Sequence, residues 1–359
     1  AGPNARAAKA AQLKKKDDKL DQEVESVINM AAEREDNLFW AQSHVLFEGL
    51  PKLNLGLQEP AVDRVLGSNH KVLELMNGGA FSDVYLVSDG KRQLRAMKAV
   101  SKERLDCFDL VKCISNEIQI LRRLRHSNVV RFHGSAQSRE HIIFLLEFAG
   151  RKNLFNFIKT QDYQDNGLNG MPLSTKVAQD FMRQMLSALA YCHGEGVSHR
   201  DIKPENFAIS DDLTTVKLID FGMSSELAAP LTHKGTMPFI APEVIENDQV
   251  LYDSAAADMW SLGVVLIELV CGLHTLSKML KWKTTMAAEK AHAADLRQLF
   301  AVPSKFRSSL EGQFRKSVPP SSALYDLILG MLSLDPRTRW AARSCLLSFW
   351  LPSQPTKQA

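Results

Sequence analysis

The chain has 359 residues, 45% hydrophobic and 24% charged, a globular composition with room for two domains of roughly 150 residues each. Its 44 basic and 41 acidic residues leave a net charge of +3, too balanced to point to nucleic acid. Five scattered cysteines (Cys107, Cys113, Cys192, Cys271, Cys345) without a CxxC pair, no apolar signal segment and no apolar run near ~20 residues predict an intracellular chain, cytoplasmic with the nucleus left open, without disulfides, zinc or a membrane span.

Residues 1–36 are rich in Ala, Lys, Asp and Glu, and Leu13, Leu20, Val24, Val27, Ile28 and Ala31 fall on one helical stripe. This predicts a polar helix lying on a neighbour, with a possible partner of its own, or a short coiled-coil arm. Pro51, Gly56, Pro60 and Gly67 make residues 41–68 a linker or a wrap over the next domain. From about residue 70 the pattern changes. VLELM, DVYLV and LRAMKAV are short apolar runs split by turn signals, and predict antiparallel strands. Helical spacing through Leu110, Ile114, Ile118 and Leu121 follows, and then the buried strand HIIFLLEF. After that, helices dominate: TKVAQDFMRQMLSALAYCHGEG, the almost wholly apolar AADMWSLGVVLIELVCG, and SALYDLILGMLSL. Strands first and helices later predict a small β-rich lobe and a larger α-rich one.

Between two apolar flanks lies SHRDIKPENFAI, Ser198–Ile209, whose charges fit neither a helical nor a strand period. It reads either as a solvated surface loop or as a catalytic loop, with Asp201 as base, Lys203 on a phosphate and Asn206 on a metal. NGGAFSDV, Asn77–Val84, sits between the first two strands, where small residues let backbone N–H groups approach phosphates; alone it is equally an ordinary hairpin. Lys98 lies within an apolar strand, where an unpaired cation is costly, and Glu117 on the next helix is spaced to come back over it; standing alone, both also fit exposed surface positions. Asp220 follows the apolar run Val216–Ile219, a place for a metal-bound carboxylate or simply a turn.

In this order, the strand Lys, the helix Glu, HRDIKPEN, DFG and APE (Ala241–Glu243) resemble the eukaryotic-type protein kinase catalytic domain over roughly residues 70–352. The DIKPEN form and Thr236 of GTMPFIAPE resemble serine/threonine kinases, and PENF with YDSAAADMWSLGVV is similar to the calcium/calmodulin-dependent group. The resemblance implies an α+β, bilobal fold, with a small antiparallel β-rich N-lobe (70–148) and a larger α-helical C-lobe (149–352). Residues 1–69 become a helical extension and linker, and 353–359 a tail. It also implies ATP and Mg2+ as cofactors and a protein substrate with a Ser/Thr acceptor, with no nucleic acid or membrane partner.

By the same resemblance, Gly78, Gly79, Ala80, Phe81, Ser82, Val84, Ala96, Leu146, Glu147, Ala149 and Ala208 surround ATP. Lys98, held by Glu117, contacts its α/β-phosphates, while Asp220 and Asn206 bind Mg2+. Asp201 accepts the substrate hydroxyl proton and Lys203 offsets charge on the γ-phosphate. Asp258 caps the catalytic loop, Glu243 pairs with Arg339, and Leu121, Phe132, His199 and Phe221 stack. Thr232 is a phosphorylation site whose phosphate Arg200 receives.

The chain also departs from the family's pattern. The phosphate loop keeps only its middle glycine, Gly79, with Asn77 and Ser82 at the flanking positions; Ala208 replaces a usual leucine; and Cys271–Phe300 lacks the usual YPPF. These departures leave a weakly active or pseudokinase-like scaffold as the alternative. Where basophilic relatives carry GGE, this chain has Arg151, Lys152 and Asn153, which predicts no preference for arginine three residues before the acceptor. Glu205 and Glu268 remain as acids able to receive a basic residue two before it.

Overall fold

The β-branched runs after residue 70 pair in sequence order. A computed structural model describes residues 65–66, 70–79, 82–89, 91–101, 108–137, 141–161, 174–226, 235–246, 252–282, 290–314 and 320–351. The helix expected over 1–36 and most of the linker over 41–68 lie outside them. Val65–Leu66 is not linker but a two-residue strand, β1, pairing with the start of β2. The described residues fall into two units, and each is taken by itself.

The first unit holds a six-stranded antiparallel sheet, in the order β1-β2-β3-β4-β6-β5. β2 is His70–Gly78, β3 Ser82–Asp89, β4 Leu94–Ser101, β5 Phe132–Gln137 and β6 His141–Glu147. Alternation along the strands sends Val72, Tyr85, Val87, Met97, Ala99 and Ile143 to one apolar cluster. At roughly 1.5–3 kcal/mol for each large apolar side chain removed from water, this cluster fixes the register. Helix α1, Phe108–Arg123, buries Glu117, Ile118, Ile120 and Leu121 and ends on Arg122 and Arg123, cations that suit the negative end of its dipole.

The second unit comprises Leu124–Val130 and the described residues from Ala149 onward. Leu124–Val130 belongs here because its backbone is tied to this unit: Val130 N–H donates to Leu218 O at 2.9 Å and Leu218 N–H to Asn128 O at 2.8 Å. Strand β7, Lys152–Asn153, leads into helix α2, Leu154–Gln161. Helix α3, Thr175–Gly194, starts at Ser174, whose hydroxyl caps Val177 N. Four short strands follow: β8 Val197–Ser198, β9 Phe207–Ile209, β10 Val216–Leu218 and β11 Ser225–Glu226. They pair as β10-β9-β7 and β11-β8, so the catalytic-loop sequence runs from one small sheet to the other.

Helix α4 is Pro242–Glu246 and α5 is Ser254–Cys271, N-capped by Asp253. By length and composition α5 could cross a membrane, yet it is buried throughout among the other helices of this unit. Gly263 allows the close approach: a Cβ there would lie 2.8 Å from the Leu332 side chain. Helices α6 Thr275–Met279, α7 Lys290–Phe300, α8 Pro303–Glu311, α9 Ser322–Met331 and α10 Ala342–Cys345 complete the unit. The buried thiols of Cys192, Cys271 and Cys345 are pushed up to about 12 by desolvation, which makes them inert packing groups.

Candidate active site

In the first unit the chemistry gathers on β4. Lys98 pairs across the sheet with Val84 on one side and Phe144 on the other, and its ammonium sits 5.7 Å from the Phe144 ring centre. An unpaired ammonium in that setting would cost several kcal/mol. Glu117 answers it from α1: Lys98 Nζ donates to Oε1 at 2.8 Å and to Oε2 at 3.0 Å. Ala96 stands opposite Leu146, and Glu147 accepts from Arg131 N at 3.2 Å. Gly78, Ser82 and Val84 lie at the β2–β3 turn, where Gly79 N–H closes onto Ser82 O at 2.9 Å. Ala80 and Phe81 are outside the described residues.

In the second unit the loop after β8 is built around a buried acid. Asp258, 1% exposed in the second turn of α5, accepts His199 N–H at 2.8 Å and Arg200 N–H at 2.7 Å. Those bonds hold Arg200 at a left-handed φ of 67°, a conformation that costs a non-glycine residue roughly 1 kcal/mol or more. His193 Nε2 lies 2.9 Å from the same carboxylate. No sequence signal marked His193: its partner comes from another helix, 65 residues on.

The loop's charged groups then converge on Asp201. One carboxylate oxygen accepts Thr236 Oγ1 at 2.9 Å; the other accepts Asn206 Nδ2 at 3.0 Å and Lys203 Nζ at 2.7 Å. Lys203 Nζ also donates to Thr236 Oγ1 at 3.0 Å, which closes a ring of three side chains, Asp201, Lys203 and Thr236, with Asn206 joined to it through Asp201. Asn206 Nδ2 gives a further bond to Asp201 O at 2.7 Å, and Ile219 N–H donates to Asn206 O at 2.9 Å. That last bond ties Asp220 to the loop. Asp220 is exposed at a left-handed φ of 62°, and Phe221 behind it is fully buried. His199 Nε2–H donates to Ile219 O at 2.9 Å, and its ring meets Phe221 edge-on at 4.9 Å.

The orientation of Asn206 decides what it can hold. Its amide nitrogen is spent on Asp201, so its Oδ1 is the atom available to a cation. With Asp220, that is a hard-oxygen donor set of the kind Mg2+ takes when phosphate oxygens and water complete its shell. Among the described residues no group of three or more His, Cys, Asp or Glu could hold a metal unaided, which fits a metal that arrives with a nucleotide.

The protein kinase domain model matches residues 70–351. The chain belongs to that family. Its kinase domain is of the serine/threonine type, and proteins of this family generally use ATP and Mg2+. The chain is 34% identical over 218 residues to CBL-interacting serine/threonine-protein kinase 18 of Arabidopsis thaliana, covering 58% of this chain and 39% of that protein. It is 31% identical over 293 residues to CBL-interacting protein kinase 11 of Oryza sativa subsp. japonica, covering 80% and 52%. It is also 31% identical over 264 residues to the serine/threonine-protein kinase SIK1 of Mus musculus, covering 73% and 30%. The kinase domain therefore spans about half or less of these relatives' length.

Of the site residues read from sequence, the kinase domain brings Lys98 and Glu117 together in one unit, and Asp201, Lys203, Asn206 and Thr236 in the other. Ala149 opens the second unit, and Ala208, 7% exposed, lies on β9 opposite Asn153. Leu121 and Phe132 are buried in the first unit, His199 and Phe221 in the second. Thr232 is outside the described residues. Tyr252 was not anticipated; its hydroxyl accepts Arg200 Nε at 3.4 Å. The expected pair between Glu243 and Arg339 is present and bidentate, at 2.6 and 3.0 Å.

Glu268, one of the two acids expected to receive a basic residue, is buried. It is 1% exposed on α5, and its Oε1 accepts His274 N–H at 3.0 Å. Burial pushes its carboxyl up to about 8, and Glu205 pushes in the same direction. Glu205 is likewise raised, first by burial, and its Oε2 has no hydrogen-bond partner. Glu268 is thus a buried acid whose carboxyl is turned onto the backbone of His274.

Proposed function

We propose that this chain is an active serine/threonine protein kinase that transfers the γ-phosphate of ATP to Ser/Thr hydroxyls of a protein substrate. The observation that carries this reading is the cluster around Asp201, whose carboxylate is held by the cation Lys203 and the two neutral polar side chains Asn206 and Thr236. Phosphoryl transfer asks a protein mainly for positioning and for neutralising charge. Asp201 accepts the proton of the substrate hydroxyl as that oxygen attacks. Lys203, 2.7 Å from Asp201, keeps the carboxylate oriented and offsets charge on the transferred phosphate. Lys98 takes the α/β-phosphates, and Glu117 keeps its ammonium from swinging away.

Asp220 and Asn206 Oδ1 would hold Mg2+, which would supply charge neutralisation at the phosphates. Gly78, Gly79, Ser82, Val84, Ala96, Leu146, Glu147, Ala149 and Ala208 would line the nucleotide, and Arg200 would pair with a phosphate carried on Thr232. A decayed, scaffold-only kinase is less well supported, because all five groups that carry the chemistry remain: Lys98, Glu117, Asp201, Asn206 and Asp220. The test is incorporation of labelled phosphate from ATP and Mg2+ into a Ser/Thr substrate by the wild type and by Asp201→Asn. Equal incorporation by both would overturn the reading.

A further inference from the structure

The strand that flanks the catalytic loop carries a cation with nothing to neutralise it. β7 pairs with β9, Lys152 opposite Ile209 and Asn153 opposite Ala208, and it abuts the Pro204–Asn206 turn. Anything bound with its acceptor hydroxyl at Asp201 has this strand on one flank. Each charged or polar group along it has a definite state. Arg151 is taken: its guanidinium meets Asp211 at 2.6 Å, and its backbone N–H donates to the same carboxylate at 3.0 Å. Asn153 is also taken, since its Oδ1 caps α2 by accepting Asn156 N–H at 2.8 Å. Lys152 is exposed and has no partner among the described residues.

The acids that could attract a basic ligand here are withdrawn. Glu268 lies behind His274, whose left-handed φ of 62° turns its N–H onto the carboxyl and whose ring packs edge-on against Phe155 of α2 at 6.1 Å. Glu205 is half-buried, and Asp201 is occupied by Lys203, Asn206 and Thr236. Further along α2, Lys159 adds a second cation, 6.0 Å from the Phe155 ring centre. Among the described residues the flank is thus positive: its acids are buried or paired, and Lys152 and Lys159 are exposed.

We propose that Lys152 is a specificity-determining residue that selects an acidic or phosphorylated side chain on the N-terminal side of the phosphoacceptor, and that this face rejects basic ones. The proposal deepens the kinase reading and rests on it for the position of the acceptor. A carboxylate gains an exposed ammonium as partner, whereas an arginine meets like charge while Glu268 lies buried against His274 N–H. A phosphoryl group, with −1.5 to −2 charges and three acceptor oxygens, gains more than a carboxylate.

The test uses the full chain and three fluorescent peptides that share one Ser acceptor and differ only in the three residues before it: all Asp, all Ala or all Arg. Anisotropy reads binding without requiring turnover, and phosphate incorporation is measured alongside. In low salt the Asp peptide is expected to bind about tenfold more tightly than the Arg peptide, from a few exposed charge contacts each worth severalfold, with the ratio shrinking as salt is added. Lys152→Gln should reduce the ratio and Lys152→Glu should invert it. Wild type binding the Arg peptide as tightly as the Asp peptide, or an unchanged ratio in both variants, overturns the inference. A preserved binding preference with no phosphate transferred to any peptide would sustain the charge reading and count against the kinase reading, so the two fail separately.

Discussion

At Asp201 the consequences of single side chains are sharpest. Its carboxylate is the acceptor for three side-chain donors, so Asp201→Asn keeps the size, removes the proposed base and turns one bond into a donor–donor clash. General-base contributions are typically ~10²–10⁴-fold, and a loss of that order in kcat is expected for Asp201→Asn with the fold retained. Lys98→Met removes the phosphate cation and leaves Glu117 buried without its partner. Phosphate transfer by Lys98→Met should fall by at least ~10²-fold, the usual scale for losing one preorganised electrostatic partner. Turnover near wild type in either variant, measured by labelled phosphate transfer, would rule out the assignment.

Glu268 gives a prediction of another kind. Its carboxyl has an ordinary value of 4.5 and lies near 8 in the folded protein. Across that window the folded state keeps a proton that the unfolded chain has released, so stability is greatest below the unfolded value and falls as pH rises toward 8. Glu268→Gln keeps an oxygen for His274 N–H and cannot ionise. Denaturant unfolding at pH 6 and pH 8 should show the wild type losing up to about 2–3 kcal/mol relative to Glu268→Gln, from ~1.4 kcal/mol per pH unit for one proton. Parallel pH profiles for the two proteins would show that Glu268 is already ionised.

Among the secondary-structure elements, α4 and α5 are held to the segment after α9 by one cation. Arg339 is 7% exposed, and its guanidinium donates to both Glu243 oxygens, to Ala256 O at 2.8 Å and to Ser333 O at 3.0 Å. Glu243 lies on α4, Ala256 on α5 and Ser333 just beyond α9, so one side chain ties three segments of the second unit. Removing one partner of such a pair leaves a buried charge unanswered. Arg339→Ala should lose about 3–5 kcal/mol by urea unfolding, and Glu243→Gln somewhat less because an oxygen acceptor remains. A loss below ~1 kcal/mol in Arg339→Ala would mean that the neighbouring helices close over the gap.

For the molecule as a whole, ligand linkage tests whether both halves of the chemistry serve one nucleotide. A ligand that binds only the folded state stabilises it by about 2.7 kcal/mol at 100 times its dissociation constant. Saturating ATP analogue with Mg2+ should therefore raise the melting temperature of the wild type by several degrees. Lys98→Met, from the first unit, and Asp220→Asn, from the second, should each diminish that rise. A variant of either kind with an undiminished shift would separate its unit from nucleotide binding.

The amino-acid order alone marked the elements and the motif residues. Apolar runs split by turn signals foretold β2, β3, β4 and β6, helical spacing foretold α1 and α3, and an almost wholly apolar run foretold α5, because hydrophobic pattern and turn chemistry are local properties. The bidentate pair of Glu243 and Arg339 and the capping role of Asp258 were legible through family resemblance, since motif residues keep their order along the chain. What periodicity could not reach were states set by neighbours distant in sequence. His193 finds Asp258 only because α3 and α5 cross, and Tyr252 finds Arg200 only because Arg200 is held in a left-handed turn. Val65–Leu66 is a strand only because an edge of β2 stands open to it.

Most of all, the charge of an acid is not a property of its letter. In sequence, Glu205 and Glu268 are two anions and Arg151, Lys152 and Asn153 are two cations and an amide. Folding buries Glu268 and pushes its carboxyl up, neutralises Arg151 with Asp211 and spends Asn153 on a helix cap, leaving Lys152 exposed on that strand. The sequence determined which chemistry the chain carries; desolvation and pairing, which exist only once distant segments meet, decided which of its charges a partner can feel.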